Sequence, residues 1–124
     1  MMVSIRRKLK QMENQLIASL TEACETAESE IPGFSWLTHD NGNEEFPTGL
    51  RVTWIFDTEA ARERALTNGD DERMRTLTRA ALDGIGVDAR LVTSCLQFDS
   101  EEACRKAQDG DWVARLAQLR RTHH

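Results

Sequence analysis

Long apolar runs and a secretory signal are both missing from this sequence of 124 residues. No apolar stretch approaches the roughly 18 residues that a membrane-spanning helix needs. The first ten residues include basic side chains, but no apolar segment follows them as it would in a secretory signal. We therefore expect a soluble protein of the cytoplasm that does not bind membranes.

Cysteine and histidine are scarce, and their spacing fits no common metal motif. The three cysteines, Cys24, Cys95 and Cys104, form no CxxC pair and are odd in number. We expect reduced thiols rather than a disulfide framework or a zinc site. His39 is the only histidine in the sequence outside its C-terminal end. We predict no metal and no cofactor.

Basic residues are missing from the segment Gln11–Leu50, which contains eight acidic residues and no lysine or arginine. This segment would attract a basic partner. The net charge of −5 argues against a broad nucleic-acid-binding surface, which needs concentrated positive charge. Both ends of the chain are basic, however, and if they meet in space they supply candidate contacts to nucleic acid: Arg6, Arg7, Lys8, Lys10, Arg115, Arg120 and Arg121.

The residues that are present indicate a single domain over 1–124 with a strand at its centre. In the segment Leu50–Asp57, Val52, Trp54 and Phe56 recur at a period of two, which is typical of a strand with one buried face. We expect Trp54 to belong to the core. Part of the opposite sheet face is expected to be covered as well, or to form a partner site.

A long amphipathic helix is predicted over residues 3–29. Its apolar residues recur at intervals of three and four, Ile17 and Cys24 widen the stripe, and Pro32-Gly33 ends the helix. We expect this stripe to face either the core or a partner. Its members are Ile5, Leu9, Met12, Leu16, Leu20, Ala23 and Ala27.

The other segments complete an α+β domain in the order α-β-β-α-α-β-α, with the sheet and its helices over residues 34–121. The prediction is a three-stranded mixed sheet packed by helices. Asp70 or Asp71 is expected to cap the third helix, and Phe46 to anchor a long loop. Two further strands are predicted, one over Phe34–His39 with Phe34, Trp36 and Thr38 on one side, and one over about 89–98. The last helix is predicted over 112–121, and its apolar residues are Val113, Leu116 and Leu119.

One short pattern, F-D-[TS]-E-x-A-x-x-[RK]-A, begins at Phe56 and again at Phe98, 42 residues later. Each copy joins a strand end to a helix start, so we expect Asp57 and Asp99 to accept backbone N–H bonds there. If the two strands run side by side in the same direction, these edge carboxylates meet. They could then bind a divalent ion, which is the alternative interpretation.

Catalytic patterns are weak in this sequence. His39 and Cys95 could act as base and nucleophile, but no nucleophile elbow or Gly-rich oxyanion loop accompanies them. A strand-end histidine is usually a hydrogen-bonded structural residue. We therefore predict no catalytic residues and no enzymatic activity.

Three blocks of sequence stand out: Ile31–His39, the stretch from Phe46-Pro47 to Thr58, and Phe98–Glu102 with Asp111-Trp112. Together they resemble a family of short, mostly uncharacterised proteobacterial proteins, some of which are labelled Fis-type transcriptional regulators. The resemblance covers nearly the whole chain. It implies a bacterial protein and, from the label, a nucleic-acid-binding regulator, and it implies no assigned activity.

The predicted order α-β-β-α-α-β is similar to that of the type II KH fold, as in ribosome-binding factor A and other RNA-associated bacterial proteins. This resemblance implies binding to RNA or to the ribosome. The turn between the paired helices reads Asn68-Gly69-Asp70-Asp71, where the KH motif has GxxG with basic neighbours. Two carboxylates at that turn would oppose phosphate binding.

The function that these patterns favour is that of a small non-catalytic interaction or regulatory protein. We expect it to bind another protein, or a second copy of itself through the N-terminal helix. The alternatives are a KH-like RNA or ribosome-associated factor, a nucleic-acid-binding regulator, and an enzyme that uses Asp57 and Asp99 with a metal.

Overall fold

A computed structural model of the protein describes residues 2–41, 49–88 and 95–122. Within these ranges three strands and five helices follow the predicted order, with two helices after the last strand, and the predicted α+β class is confirmed. Phe46 and the start of the predicted third strand, 89–94, lie outside the described residues. The elements are α1 (Met2–Glu30), β1 (Phe34–Asp40), β2 (Arg51–Phe56), α2 (Glu59–Asn68), α3 (Asp70–Asp83), β3 (Leu96–Ser100), α4 (Glu101–Gln108) and α5 (Trp112–Thr122).

The three strands form one mixed sheet in the order β1-β2-β3. β1 pairs antiparallel with β2, and β2 pairs parallel with β3. A parallel pair needs a crossover connection, and the chain supplies it with α2 and α3, which lie between β2 and β3 in sequence. β2, the strand with the clearest alternation in the sequence, is thus the central strand of the sheet.

The first face of the sheet is apolar and packs against α1, α2 and α3. Val52, Trp54 and Phe56 of β2 are fully buried there. The indole Nε1 of Trp54 donates a hydrogen bond of 3.0 Å to the hydroxyl of Thr78 on α3, so the one polar atom of that side chain is satisfied. The stripe of α1 joins this core through Leu16, Leu20, Ala23 and Ala27, with Met12 partly buried beside it.

The turn from α1 into β1 needs a glycine. Gly33 has φ of 81°, and a Cβ atom added to it would lie 2.6 Å from the Cβ of Ala61 on α2. Both the backbone conformation and the close approach of α2 therefore favour glycine at this position. The Pro32-Gly33 signal was thus correct for the helix end, and it also marks a contact that the sequence does not reveal.

The second face of the sheet lies beneath α5. Cross-strand partners share a face, so Thr38, Thr53 and Gln97 form one row across the three strands, and Trp36, Ile55 and Asp99 form the next. Thr53 and Ile55 are fully buried, which confirms that this face is covered. The last helix docks on the sheet through three side chains: Trp112, Arg115 and Arg120. Val113, one of the apolar residues of this helix, is 83% exposed.

The side assigned to Trp36 and Thr38 was wrong because β1 contains a bulge. Phe34 pairs with Phe56, whereas Trp36 pairs with Ile55, so one extra residue separates the two registers. The bulge turns Trp36 and Thr38 away from the face of Phe34. The Phe34 ring lies 5.2 Å from the Trp54 ring in the core, and the Trp36 ring lies 5.3 Å from that of Trp112 on α5.

The helix caps match the expectation in part: Asp99 Oδ1 accepts the backbone N–H of Ser100 at 2.8 Å, but neither aspartate is the N-cap residue. The hydroxyls of Thr58 and Ser100, not the preceding aspartates, accept the capping bonds from Ala61 N and Ala103 N, at 3.1 and 3.0 Å. The third helix has Gly69 at its N-cap without a side-chain cap, and Asp70 and Asp71 lie in its first turn. Their negative charge still favours the helix start through the helix dipole.

None of the helices in the described part of the chain is long and apolar enough to cross a membrane. The cytoplasmic location stays a prediction.

Candidate protein-interaction site

The edge carboxylates Asp57 and Asp99 do not occupy equivalent places, although their sequence contexts match. The register of the parallel strands pairs Trp54 with Phe98 and Ile55 with Asp99. Asp57 therefore lies two residues further along its strand than Asp99, a displacement of about 6–7 Å. Asp57 is exposed and Asp99 is 3% exposed, so the register places one carboxylate in solvent and the other beneath α5.

The Asp99 carboxylate is bound by Arg115 of α5 in a bidentate ion pair. Arg115 Nε donates to Asp99 Oδ2 at 2.8 Å, and Arg115 Nη2 donates to Asp99 Oδ1 at 2.9 Å. The backbone N–H of Ser100 also donates to Asp99 Oδ1, at 2.8 Å. A carboxylate with these partners is already satisfied, so its geometry favours a structural role. Within the described residues, no cluster of three or more potential metal ligands is found.

The two copies of the F-D-[TS]-E pattern are bonded to each other at this edge. Glu102 Oε1 accepts from the backbone N–H of Glu59 at 2.8 Å, and Ser100 Oγ donates to Glu59 Oε2 at 2.8 Å. The hydrogen bond from Arg62 lowers the pKa of the Glu59 carboxyl, and the Ser100 hydroxyl adds to that effect. The repeated pattern thus ties the starts of α2 and α4 together.

The candidate nucleic-acid contacts divide into two groups. Arg115 holds Asp99, and Arg120 binds both the Asp40 carboxylate and the carbonyl oxygen of Gly49, at 3.0 Å for the latter. A phosphate would have to compete with these bonds. The remaining candidates are Lys10 and Arg121, which are exposed, and Arg6, Arg7 and Lys8, which lie in the first turns of α1.

His39 and Cys95 are not adjacent. β2 separates them, since His39 pairs with Val52 and Val52 pairs with Leu96, so the two residues lie about 10 Å apart across the sheet. Cys95 is buried, and that burial raises the pKa of its thiol. A raised pKa keeps the thiol protonated at neutral pH, which lowers its reactivity as a nucleophile.

A concave surface among the described residues lies between α1 and the outer strand β1. We call it the α1–β1 groove, and its volume is about 410 Å³. β1 lies at the edge of the sheet, so the groove follows a sheet edge on one side and a helix on the other. Its lining residues are Ile17, Leu20, Thr21, Cys24, Glu25, Glu28, Leu37, Thr38 and His39.

The α1–β1 groove has apolar side chains at its base and acidic side chains along its rim. Ile17 is 45% exposed there, and it lines the groove together with the apolar side chains of Leu20 and Leu37. Leu37 packs partly into the core, while Glu25 and Glu28 are exposed. Such a surface suits a ligand that carries both apolar and basic groups.

Cys24 connects the two sides of the groove. Burial raises the pKa of its thiol most, the neighbouring Glu28 carboxylate raises it further, and a hydrogen bond from the Leu37 backbone lowers it. Because the net direction is upward, the thiol is protonated at neutral pH. Cys24 and Leu37 both line the groove, so the thiol lies where α1 and β1 face each other.

Sequence reasoning placed Ile17 at the edge of the α1 stripe and left open whether the stripe faces the core or a partner, whereas the structure buries Leu16 and leaves Ile17 half-exposed in the groove. The signal that pointed to it was the absence of lysine and arginine between Gln11 and Leu50, since the groove lies within that segment. No family model, curated protein or solved structure matches the chain. The relations to Fis-labelled proteins and to the type II KH fold stay predictions.

Proposed function

We propose that this protein is a non-catalytic interaction module that binds a basic, amphipathic helix of a protein in the α1–β1 groove. The observation that carries the proposal is Ile17, a large apolar side chain that is 45% exposed between the acidic residues of α1 and the edge strand. An amphipathic helix laid in an apolar groove is a recurrent mode of peptide recognition.

Apolar burial and charge are expected to contribute to binding in different ways. Covering Ile17 and the floor of the groove removes apolar surface from water, which contributes about 25 cal/mol for each Å². The rim carboxylates Glu25 and Glu28 are exposed, so their contribution is mainly to the association rate and to the choice of a basic partner. Affinity is therefore expected to depend strongly on Ile17 and to weaken with salt through the rim.

The proposal is tested with two fluorescent 20-residue helical peptides, one of leucine and lysine and one of leucine and glutamate, at a low concentration of the protein. Fluorescence anisotropy should detect binding of the Leu/Lys peptide only. Glu25→Lys should weaken that binding by about three- to tenfold, which corresponds to about 0.7–1.4 kcal/mol.

The matched control is Glu63→Lys, which makes the same charge change on the exposed side of α2, away from the groove. It should leave the affinity within about twofold of the original. Equal binding of both peptides, or an equal loss in Glu25→Lys and Glu63→Lys, would refute the proposal, because it would show attraction by net charge alone.

A second candidate function is binding of single-stranded RNA, supported by the element order that the chain shares with the type II KH fold. The acids at the α2–α3 turn, Asp70 and Asp71, weigh against it. The test is filter binding of a mixed-sequence RNA oligonucleotide at several salt concentrations. A salt-dependent affinity that disappears in the double variant Lys10→Glu, Arg121→Glu would favour RNA binding over the protein-binding role.

A further inference from the structure

We infer, resting on the proposed function, that the helix bound in the α1–β1 groove is α1 of a second copy of this chain. The two copies of α1 would pack antiparallel around a two-fold axis at Ile17. Such an interface is isologous, so each copy donates a helix to the other and the assembly closes as a dimer. Three features of α1 carry this inference: its charge distribution, the place of Ile17 along it, and its length.

The charge of α1 changes sign along its length. Its first turns contain basic residues before any acid, ending at the exposed Lys10, and its last turns contain the exposed acids Glu22, Glu25 and Glu28. Antiparallel packing places the basic half of each helix against the acidic half of its partner. Parallel packing would place like charges together, which is unfavourable.

Ile17 lies near the middle of α1, which spans Met2–Glu30. With the two-fold axis at this residue, a position seven residues before it faces the position seven residues after it. Lys10 then faces Cys24 of the second copy, beside Glu25 and Glu28, and position 6 faces position 28. Positions seven and eleven residues from Ile17 share its helix face, so positions 6 and 10 lie on the same face of α1 as Cys24 and Glu28, which line the groove.

The length of α1 suits an interface between two helices. The helix spans 29 residues and is about 43 Å long, whereas α3, which packs beside it, has 14 residues. The ion pair between Glu30 and Arg73 fixes the C-terminal end of α1 beside the start of α3. The sequence of α1 continues the apolar spacing toward its N-terminal end through Ile5 and Leu9.

Disulfide trapping with the native thiol tests the register directly. In the variant Lys10→Cys, mild oxidation should give a covalent dimer through position 10 of one copy and Cys24 of the other. Cys95 and Cys104 are buried and should not take part. Adding Cys24→Ser to this variant should abolish the covalent dimer. A dimer that persists without Cys24 would instead indicate parallel pairing of position 10 with itself, which would overturn the inference.

A charge swap with a solution readout provides the second test. Sedimentation velocity should show a dimer whose dissociation constant rises about tenfold in Lys10→Glu and also in Glu25→Lys, and returns to within about threefold in the double variant. Ile17→Asp should weaken the dimer more than Val113→Asp, a matched change at an exposed residue of α5.

The outcomes separate this inference from the proposed function. A chain that stays monomeric at all concentrations, while its groove still binds the Leu/Lys peptide in a manner sensitive to Glu25→Lys, would overturn the dimer and leave the interaction module. A chain that neither dimerises nor binds the peptide would overturn both. A dimer that is insensitive to Ile17→Asp and to the charge swap would overturn the antiparallel α1 interface.

Discussion

The two faces of the sheet are covered by different kinds of contact. The face beneath α1, α2 and α3 carries Val52, Trp54 and Phe56, all fully buried among apolar side chains. The face beneath α5 carries a polar row and the ion pair between Asp99 and Arg115. Burial of apolar surface has no direction, whereas hydrogen bonds and ion pairs do. The first face therefore supplies most of the stability, and the second fixes where the last helix lies.

The polar face is not fully satisfied. Gln97 Nε2 donates to the Thr53 hydroxyl at 2.7 Å, but Gln97 Oε1 is buried and has no hydrogen-bond partner among the described residues. A buried acceptor without a partner costs about 1–3 kcal/mol. The apolar face of the sheet therefore contributes most of the folding free energy. The polar face fixes the position of α5 but loses some of that free energy at Gln97. The following variants test that contrast, from the largest expected effect to the smallest.

The largest loss is expected from Trp54→Ala on the apolar face. Trp54 is fully buried, so removing its ring creates a cavity and should destabilise the protein by about 3–5 kcal/mol. Urea unfolding followed by circular dichroism measures this change. Trp54→Phe, which keeps much of the volume, should lose less than half as much. Equal losses for the two variants would show that the hydrogen bond to Thr78, and not the packing, dominates.

Arg115→Met on the polar face should destabilise the protein by about 3 kcal/mol, because it leaves the buried Asp99 carboxylate without its cation. The double variant Asp99→Asn, Arg115→Met should recover much of that loss, since it removes the unpaired charge. A double-mutant cycle measured by urea unfolding gives the coupling between the two residues. Simple addition of the two single effects would contradict the interaction.

The two N-caps allow a matched comparison at the sheet edge. Thr58→Ala should cost about 1 kcal/mol, the typical value for a lost cap. Ser100→Ala should cost about 2 kcal/mol, because Ser100 is fully buried and its hydroxyl also donates to Glu59. Thermal unfolding of both variants measures the difference. A larger effect at Thr58 than at Ser100 would be inconsistent with the bonding at this edge.

The smallest effect concerns the pH dependence of Glu59. Its pKa is lowered below the ordinary value of 4.5, mainly by the hydrogen bond from Arg62, so the ionised form is favoured in the folded protein. This stabilisation is present above about pH 4.5 and is lost as the pH falls through the folded-state pKa. Because the pair is partly exposed, Arg62→Gln should cost only about 0.2–0.5 kcal/mol at pH 7.

The same variant supplies the control for that prediction. The melting temperatures of the original protein and of Arg62→Gln should converge as the pH is lowered, since the protonated Glu59 gains little from the arginine. A difference that stays constant from pH 7 to pH 3 would mean that Arg62 acts through packing alone.

The interaction surface shows where prediction from sequence ends. The absence of basic residues between Gln11 and Leu50 predicted an acidic region that attracts a basic partner, and α1 and β1 form the groove within that region. The exposure of Ile17 could not be predicted from the sequence. Ile17 and Leu16 are neighbours in the same apolar stripe of α1, yet Leu16 is fully buried and Ile17 is 45% exposed. A helix stripe has no sharp boundary in sequence, and only the neighbouring elements decide which edge of it is covered.

Local patterns in the sequence determined the elements and their order. The period-two alternation around Trp54 specified the central strand, the spacing of three and four specified α1, and Gly69, with φ of 95°, ended α2 as its position predicted. These signals are local because propensity, capping and periodicity act over a few residues. They were sufficient for the α+β class and for the prediction of a three-stranded mixed sheet.

Only the tertiary structure decided which of the two carboxylates, Asp57 or Asp99, is buried. Their sequence contexts are nearly the same, yet the two-residue offset between the pattern and the sheet register leaves one in solvent and buries the other against Arg115. The bulge before Trp36 likewise directs that ring to α5. Register, bulges and long-range ion pairs depend on how distant segments meet, and that information is not contained in any single stretch of sequence.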